Sequence, residues 1–146
     1  MKKLLSAAAM AAAVLTVAGA AGPVLAQASK VQTVTMNGAS QAVTRTVPGG
    51  FDLTGTYTYD DGSEAMVVLN GDGHGKWRGD TGEATRDITW WIAADASGKA
   101  ETQTGPGGQA HTLIVDFGGG DYSGFELAIA KEPRQIWINR ERVKAY

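Results

Sequence analysis

From residue 53 onward, short apolar runs alternate with tight-turn residues, and this pattern limits the possible folds more than any other feature of the chain. The separators are rich in Gly, Asp and Asn, which adopt the positive φ that hairpin turns need. No window shows a helical period, and no segment between turns is long enough for a crossover helix. The pattern predicts eight short strands, at residues 53–59, 64–70, 75–79, 85–93, 99–104, 110–117, 122–130 and 134–143.

Loops this short join antiparallel neighbours, so we expect a small all-β meander. The chain has no cysteine, and therefore no disulfide can support a thin core. A closed eight-stranded barrel meets this need because it encloses a core and leaves no unpaired edge. A two-sheet sandwich is the alternative, although its Greek-key order needs longer connections.

Alternate side chains of a strand share one face of the sheet, and several predicted strands have one apolar and one mostly polar face. In the run at residues 122–130, Phe125, Leu127 and Ile129 lie opposite Glu126 and Ala128. We therefore expect the first three side chains to face the interior.

The first 28 residues have the order of a secretory signal peptide. Lys2 and Lys3 precede an apolar, Ala-rich run to about residue 21, and Ala26-Gln27-Ala28 provides a small-x-small cleavage site. The run is short for a membrane span, although an uncleaved anchor is the alternative. We expect an exported, soluble mature chain in a bacterial periplasm or outside the cell, with no insertion into the membrane.

The mature chain is mildly acidic. Loss of Lys2 and Lys3 leaves 11 basic and 15 acidic residues, a net charge of −4. Nucleic-acid binding calls for a basic face, and so does binding to an anionic membrane surface. We therefore expect neither partner.

Residues 29–50 lack the aromatic side chains that mark the rest of the mature chain, since all 11 Phe, Trp and Tyr lie in residues 51–146. The segment alternates polar and apolar residues before Asn37-Gly38, a favoured hairpin turn. It could form an edge hairpin or a flexible tether. Pro48-Gly49-Gly50 ends it, and we place the start of the barrel domain, residues 51–146, after this motif.

The motif Phe51-Asp52-Leu53-Thr54-Gly55-Thr56-Tyr57 resembles the opening of the lipocalin and calycin group, whose first barrel strand carries a Gly-x-Trp signature. Gly55 and Tyr57 match the signature, with Tyr in the place of Trp. In that family an Arg from the last strand often packs across the ring, a role that Arg140 or Arg142 could fill. The continuation to residue 77 is similar to small bacterial lipocalin-like domains of unassigned function. The resemblance implies a barrel that holds one small ligand or is filled by its own side chains.

Residues that could carry catalysis or bind metal form no recognisable constellation. His74 and His111 have no carboxylate at a metal-ligand spacing, so we expect both to be surface or turn residues. The Asp-Gly turns at residues 60–63 and 70–73 lack the further oxygen ligands of a calcium loop, and no serine stands in a nucleophile-elbow motif. We expect no catalytic residue, no metal and no cofactor, and therefore no enzyme.

Four tryptophans are many for a domain of this size. Trp90 and Trp91 are adjacent in one predicted strand, so they must point to opposite faces. Ile88 and Ile92 share the face of Trp90, which predicts that Trp90 lines the interior and Trp91 faces outward. An exposed Trp often marks a contact surface, unless Lys or Arg stems or residues 29–50 cover it.

Two functional hypotheses follow from these features. The first is an exported binding protein that holds a small apolar or amphipathic ligand in the barrel mouth, with Tyr57, Trp77 and Trp90 as candidate ligand-binding residues. The second is a protein–protein interaction module or inhibitor of the cell envelope, with Trp91 and Trp137 as its exposed aromatic surface. A filled interior favours the second hypothesis, and an open mouth favours the first.

The signal architecture predicts where the mature chain begins. We expect the purified native protein to start near Gln27 or Ser29 and to lie outside the inner membrane. N-terminal sequencing checks this expectation, and a cytoplasmic protein that still begins at Met1 would contradict it.

Overall fold

The chain folds as one antiparallel sheet. A computed structural model describes residues 31–80, 82–105, 108–130, 135–139 and 141–145. Within these residues no helix occurs, and the strands are β1 (Gln32–Met36), β2 (Ala39–Thr44), β3 (Gly55–Tyr59), β4 (Met66–Leu69), β5 (His74–Arg78), β6 (Arg86–Ala93), β7 (Gln103–Gly105), β8 (Gly108–Asp116), β9 (Tyr122–Ala130), β10 (Gln135–Ile138) and β11 (Glu141–Ala145).

The sheet curls into a half-barrel, with its strands paired in the order β1-β2-β6-β5-β4-β3-β11-β10-β9-β8-β7. β6 has neighbours on both sides, because its first half pairs with β5 while Thr89, Trp90, Trp91 and Ile92 pair with β8. The first and last strands of the 51–146 region, β3 and β11, also pair with each other. The antiparallel all-β architecture predicted from the turn pattern is therefore confirmed.

The predicted last strand, at residues 134–143, is wrong in one respect, because the structure divides it into β10 and β11. Between them Asn139 has a φ of 52°, in the left-handed region that Asn tolerates better than most non-glycine residues. Ile136 pairs with Val143 across this turn. The sequence pattern missed the turn because no glycine marks it.

Inward-facing side chains fill the curl of the sheet with one continuous apolar cluster. The alternation predicted for β9 is confirmed, since Leu127 and Ile129 belong to this cluster and the partly buried Phe125 packs against it. Trp90 also belongs to it and is 2% exposed, as predicted. The largest fully buried members are Trp90, Tyr57, Leu69, Ile92, Leu113, Leu127 and Ile138. The space inside the curl is therefore a packed core.

The outer face of β6 is buried as well, which corrects the prediction that Trp91 is exposed. Val34 and Val43 from β1 and β2 pack on Trp91 together with Ala93 and Ile114. Trp91 is only 7% exposed as a result. The two tryptophans do point to opposite faces, but a second apolar layer covers the face that was predicted to be free.

That layer is the N-terminal segment. Of the two predicted alternatives, an edge hairpin and a flexible tether, the segment forms the hairpin. β1 and β2 pair along their length, and Asn37 and Gly38 form the turn with φ values of 50° and 79°. Two backbone pairs, both at the end of β2, join the hairpin to β6. Just beyond β6, the backbone N–H of Ala94 donates a further hydrogen bond of 2.8 Å to the carbonyl oxygen of Ala42. Side-chain burial around Trp91 adds to this attachment.

Two predictions fall outside the described residues. One is the signal peptide at residues 1–28. The other is the contact of Tyr57 with the stem of Arg140 or Arg142, since Arg140 and the side chain of Arg142 are not among those described. Tyr57 itself is 1% exposed.

Replacement of Trp91 should loosen the hairpin first. We expect Trp91→Ala to lower the free energy of unfolding by about 3–5 kcal/mol, as core truncations of this size do. Amide hydrogen exchange should increase most in β1 and β2, whereas Trp90→Ala should increase it across the sheet. Thr35→Ala, at an exposed site of β1, is the control. Unchanged urea unfolding of Trp91→Ala would contradict the assignment of a second core.

Candidate functional site

A cleft of about 270 Å³ opens at the end of the sheet where β3 begins. The segment that leaves the hairpin, the β4–β5 turn and β6 together form it. This Arg45 cleft is lined by Arg45, Thr46, Val47, Gly50, Phe51, Asp52, Leu53, Thr54, Gly71 and Trp90. Its volume lies close to the lower end of the usual range for small-molecule sites, ~300–1,000 Å³.

Trp90 forms a fixed aromatic wall of the Arg45 cleft. Its indole Nε1 donates a hydrogen bond of 3.1 Å to the carbonyl oxygen of Asn70. Its backbone N–H donates a second bond, of 2.9 Å, to the carbonyl oxygen of Gly73. The β4–β5 turn therefore holds the ring from one side while the core packs against it from the other.

Arg45 supplies the positive charge of the cleft, and its side chain is held on several sides. Nε donates a hydrogen bond of 3.4 Å to the carbonyl oxygen of Trp90. The guanidinium carbon lies 5.6 Å from the centre of the Trp91 ring, within the range of a cation–π contact. Gly73 approaches the guanidinium so closely that a Cβ at this position would overlap it. The guanidinium is therefore preorganised.

No carboxylate in the described part of the chain lies within ion-pair distance of Arg45. The ion pairs found there join Lys76 with Asp87, Arg78 with Glu64, and Arg86 with Asp121. The acidic residue of the cleft lining, Asp52, accepts hydrogen bonds at Oδ1 from the backbone N–H of Thr54 (2.9 Å) and from its hydroxyl (2.8 Å). This carboxylate therefore closes a local turn.

Apolar side chains form the rest of the wall. Val47 and Leu53 are 6% and 3% exposed and belong to the inner core, against which Phe51 also packs. Beyond the chain segment that carries Val47 lies a second cleft, of about 150 Å³, lined by Thr46, Val47, Pro48, Lys99 and Ala100. A ligand in the Arg45 cleft would thus meet apolar surface on one side and a guanidinium on the other.

The structure separates the three candidate ligand-binding residues. Trp90 lines the Arg45 cleft, while Tyr57 lies in the core and donates a hydrogen bond of 2.7 Å to the carbonyl oxygen of Leu53. Trp77 lies near the opposite end of the sheet, where its ring stacks on Phe125 at 4.5 Å and meets the edge of Phe117 at 5.7 Å. Of the three, Trp90 is the one that this cleft can offer to a ligand.

Trp91 and Trp137, the two residues predicted to form a partner surface, differ in their burial. Trp91 is buried under the hairpin, and its Nε1 has no hydrogen-bond partner among the residues that the structure describes. Trp137, in β10, is half-buried. An outward aromatic surface centred on Trp91 is therefore absent from the described part of the molecule.

The histidines and the acidic turns have structural partners. His74 is exposed, whereas His111 is 3% exposed, which corrects its prediction as a surface or turn residue. Burial is tolerated because Nδ1 of His111 donates a hydrogen bond of 2.7 Å to the carbonyl oxygen of Glu101.

Hydrogen bonds from the backbone and hydroxyl of Ser63 lower the pKa of Asp61. Among the described residues no group of three His, Cys, Asp or Glu is placed to hold a metal ion.

No family model, curated protein or solved structure matches the chain, so the geometry of the cleft carries the functional argument.

Sequence reasoning missed Arg45, although a signal was present. It is the one charged residue in residues 31–50, a stretch that otherwise holds small, polar and apolar side chains. This isolated charge, between a hairpin and a Pro-Gly-Gly turn, is the feature that could have singled out Arg45.

None of the described residues belongs to a helix long and apolar enough to cross a membrane.

The contact between Arg45 and Gly73 can be tested by adding a methyl group at the glycine. Gly73 has a φ of 86°, so we expect Gly73→Ala to combine backbone strain with displacement of the guanidinium. Strain of this kind costs about 1–3 kcal/mol. Gly62→Ala is the matched control, because Gly62 has a φ of 79° but open space around it. Urea unfolding should show the larger loss for Gly73→Ala, and equal losses would mean that the overlap with Arg45 is relieved at no cost.

Proposed function

We propose that this chain is an exported binding protein, rather than an enzyme, that holds a small amphipathic ligand in the Arg45 cleft. The observation that carries the proposal is the cleft itself, a preformed concave site with apolar walls and an anchored cationic group. Small-molecule sites typically combine these features. Export to a bacterial periplasm or to the exterior remains the expectation from residues 1–28.

We further propose that residues 51–146 form a closed, lipocalin-like barrel of eight strands, with the Arg45 cleft at its mouth. The support is the sequence of pairings, which runs from β3 through β4, β5, β6, β8, β9, β10 and β11 and returns to β3. The N-terminal hairpin and β7 would then be additions outside the ring. Closure would also explain how a small chain without disulfides shields its core.

The packed interior favours a site at the mouth over a deep internal cup. Tyr57 and Trp90 occupy space that a large internal ligand would need. A filled interior alone would favour the alternative function, an interaction module or inhibitor of the cell envelope. That alternative depended on an exposed Trp91, which the hairpin buries, and its remaining support is the half-buried Trp137.

Ligand binding can be tested by titrating octanoate, a small molecule with a polar head and an apolar chain, into the ¹⁵N-labelled mature protein. We expect the amide signals of Val47, Leu53, Gly71 and Trp90 to shift in a saturable way. The amide of Trp77, near the opposite end of the sheet, should not shift.

A blocking variant makes this experiment specific. Thr54 is exposed and lines the cleft, so Thr54→Trp should fill the cleft without disturbing the core and abolish the shifts. Thr35→Trp, at an exposed site of β1, places the same side chain elsewhere and should leave them intact. Equal shifts in both variants would locate any binding outside the Arg45 cleft and contradict the proposal.

A further inference from the structure

We infer that the ligand of the Arg45 cleft carries a carboxylate, so that the site selects short-chain carboxylic acids over neutral or cationic molecules of equal length. This inference rests on the proposed function, because it names the class of ligand for the same cleft. Three observations support it: the missing counter-charge of Arg45, the hydrogen-bonding groups that Arg45 keeps unused, and the apolar walls beside it.

The missing counter-charge is the first observation. The Arg45 side chain is half-buried, between the Trp91 ring and the backbone of Gly73. A charged group withdrawn from water is destabilising unless an opposite charge or hydrogen bonds compensate. In the described part of the chain no carboxylate pairs with this guanidinium, so a bound anion would supply the compensation.

The unused hydrogen-bonding groups are the second observation. Nε of Arg45 is engaged by the carbonyl oxygen of Trp90. The terminal nitrogens, Nη1 and Nη2, make no hydrogen bond to any described residue. Two parallel N–H groups match the two oxygens of a carboxylate, and such charge-assisted pairs are about twice as strong as neutral hydrogen bonds. A carboxylate bound end-on therefore fits these donors.

The apolar walls of the cleft are the third observation, and they indicate the chemistry of the rest of the ligand. Val47, Phe51, Leu53 and Trp90 line the same cleft, and of these the half-buried Phe51 leaves the most surface open to a ligand. At about 270 Å³, the cleft accommodates a short chain and excludes most of a long-chain lipid.

The test compares three molecules of equal chain length on the mature protein: octanoate, 1-octanol and octylamine. Amide shifts of the cleft residues give the dissociation constant of each. A charge-assisted hydrogen bond contributes enough for a preference of about tenfold or more, so we expect octanoate to bind at least that much more tightly than 1-octanol. Octylamine should bind most weakly.

Variants then assign the preference to Arg45. Arg45→Met keeps the length of the stem and removes the charge, so octanoate and 1-octanol should bind with similar affinity. Arg45→Lys keeps the charge without the paired donors and should retain part of the preference. Lys76→Met removes one positive charge at an exposed site of β5 and should leave the preference unchanged.

The outcomes separate the inference from the proposed function. If the three molecules bind the cleft equally well, or if Arg45→Met retains the full preference, the inference is overturned while the proposed function stands. If none of the three shifts the cleft amides, both are overturned. The comparison of head groups uses the unmodified chain, so it remains decisive even if Arg45→Met is poorly folded.

Discussion

The burial of β6 on both faces is the constraint on which the rest of the structure depends. Trp90 packs into the inner core and Trp91, the next residue, packs into the outer one. Adjacent residues of a strand face opposite ways, so one strand anchors two apolar layers at a single point. β6 also pairs with β5, β8 and β2, and it therefore connects the N-terminal hairpin to the remainder of the sheet.

The Arg45 cleft is a consequence of this arrangement. The hairpin covers Trp91, and the chain that leaves β2 continues alongside β6 from the Thr44–Ile92 pair, which brings Arg45 to the Trp90 carbonyl. Gly73 lies where the guanidinium needs room, and any larger residue would displace it. The Arg45 cleft and the second apolar layer are thus coupled, because the Trp91 ring supports the hairpin and also contacts the Arg45 guanidinium.

The two ends of the sheet differ in a way that matters for binding. Near one end Trp77, Phe117 and Phe125 pack on each other, and Arg86 lies over the Phe117 ring at 4.5 Å while pairing with Asp121. These aromatic faces and this charge already have partners. At the other end the guanidinium of Arg45 has no such carboxylate among the residues that the structure describes, and the wall beside it is concave. The asymmetry favours the Arg45 end as the site of recognition.

The sequence by itself determined the elements and the faces. Turn residues with positive φ and side chains of period two are local properties of the backbone, and they predicted the antiparallel all-β architecture and the inward Trp90. The turn at Asn139 escaped because Asn enters the left-handed region without the marker that glycine provides. Tertiary structure alone decided that Trp91 is covered and that Arg45 meets Trp90, 45 residues away. Contacts of this kind depend on which strands pair and on which layer packs over them, and no local pattern encodes that choice.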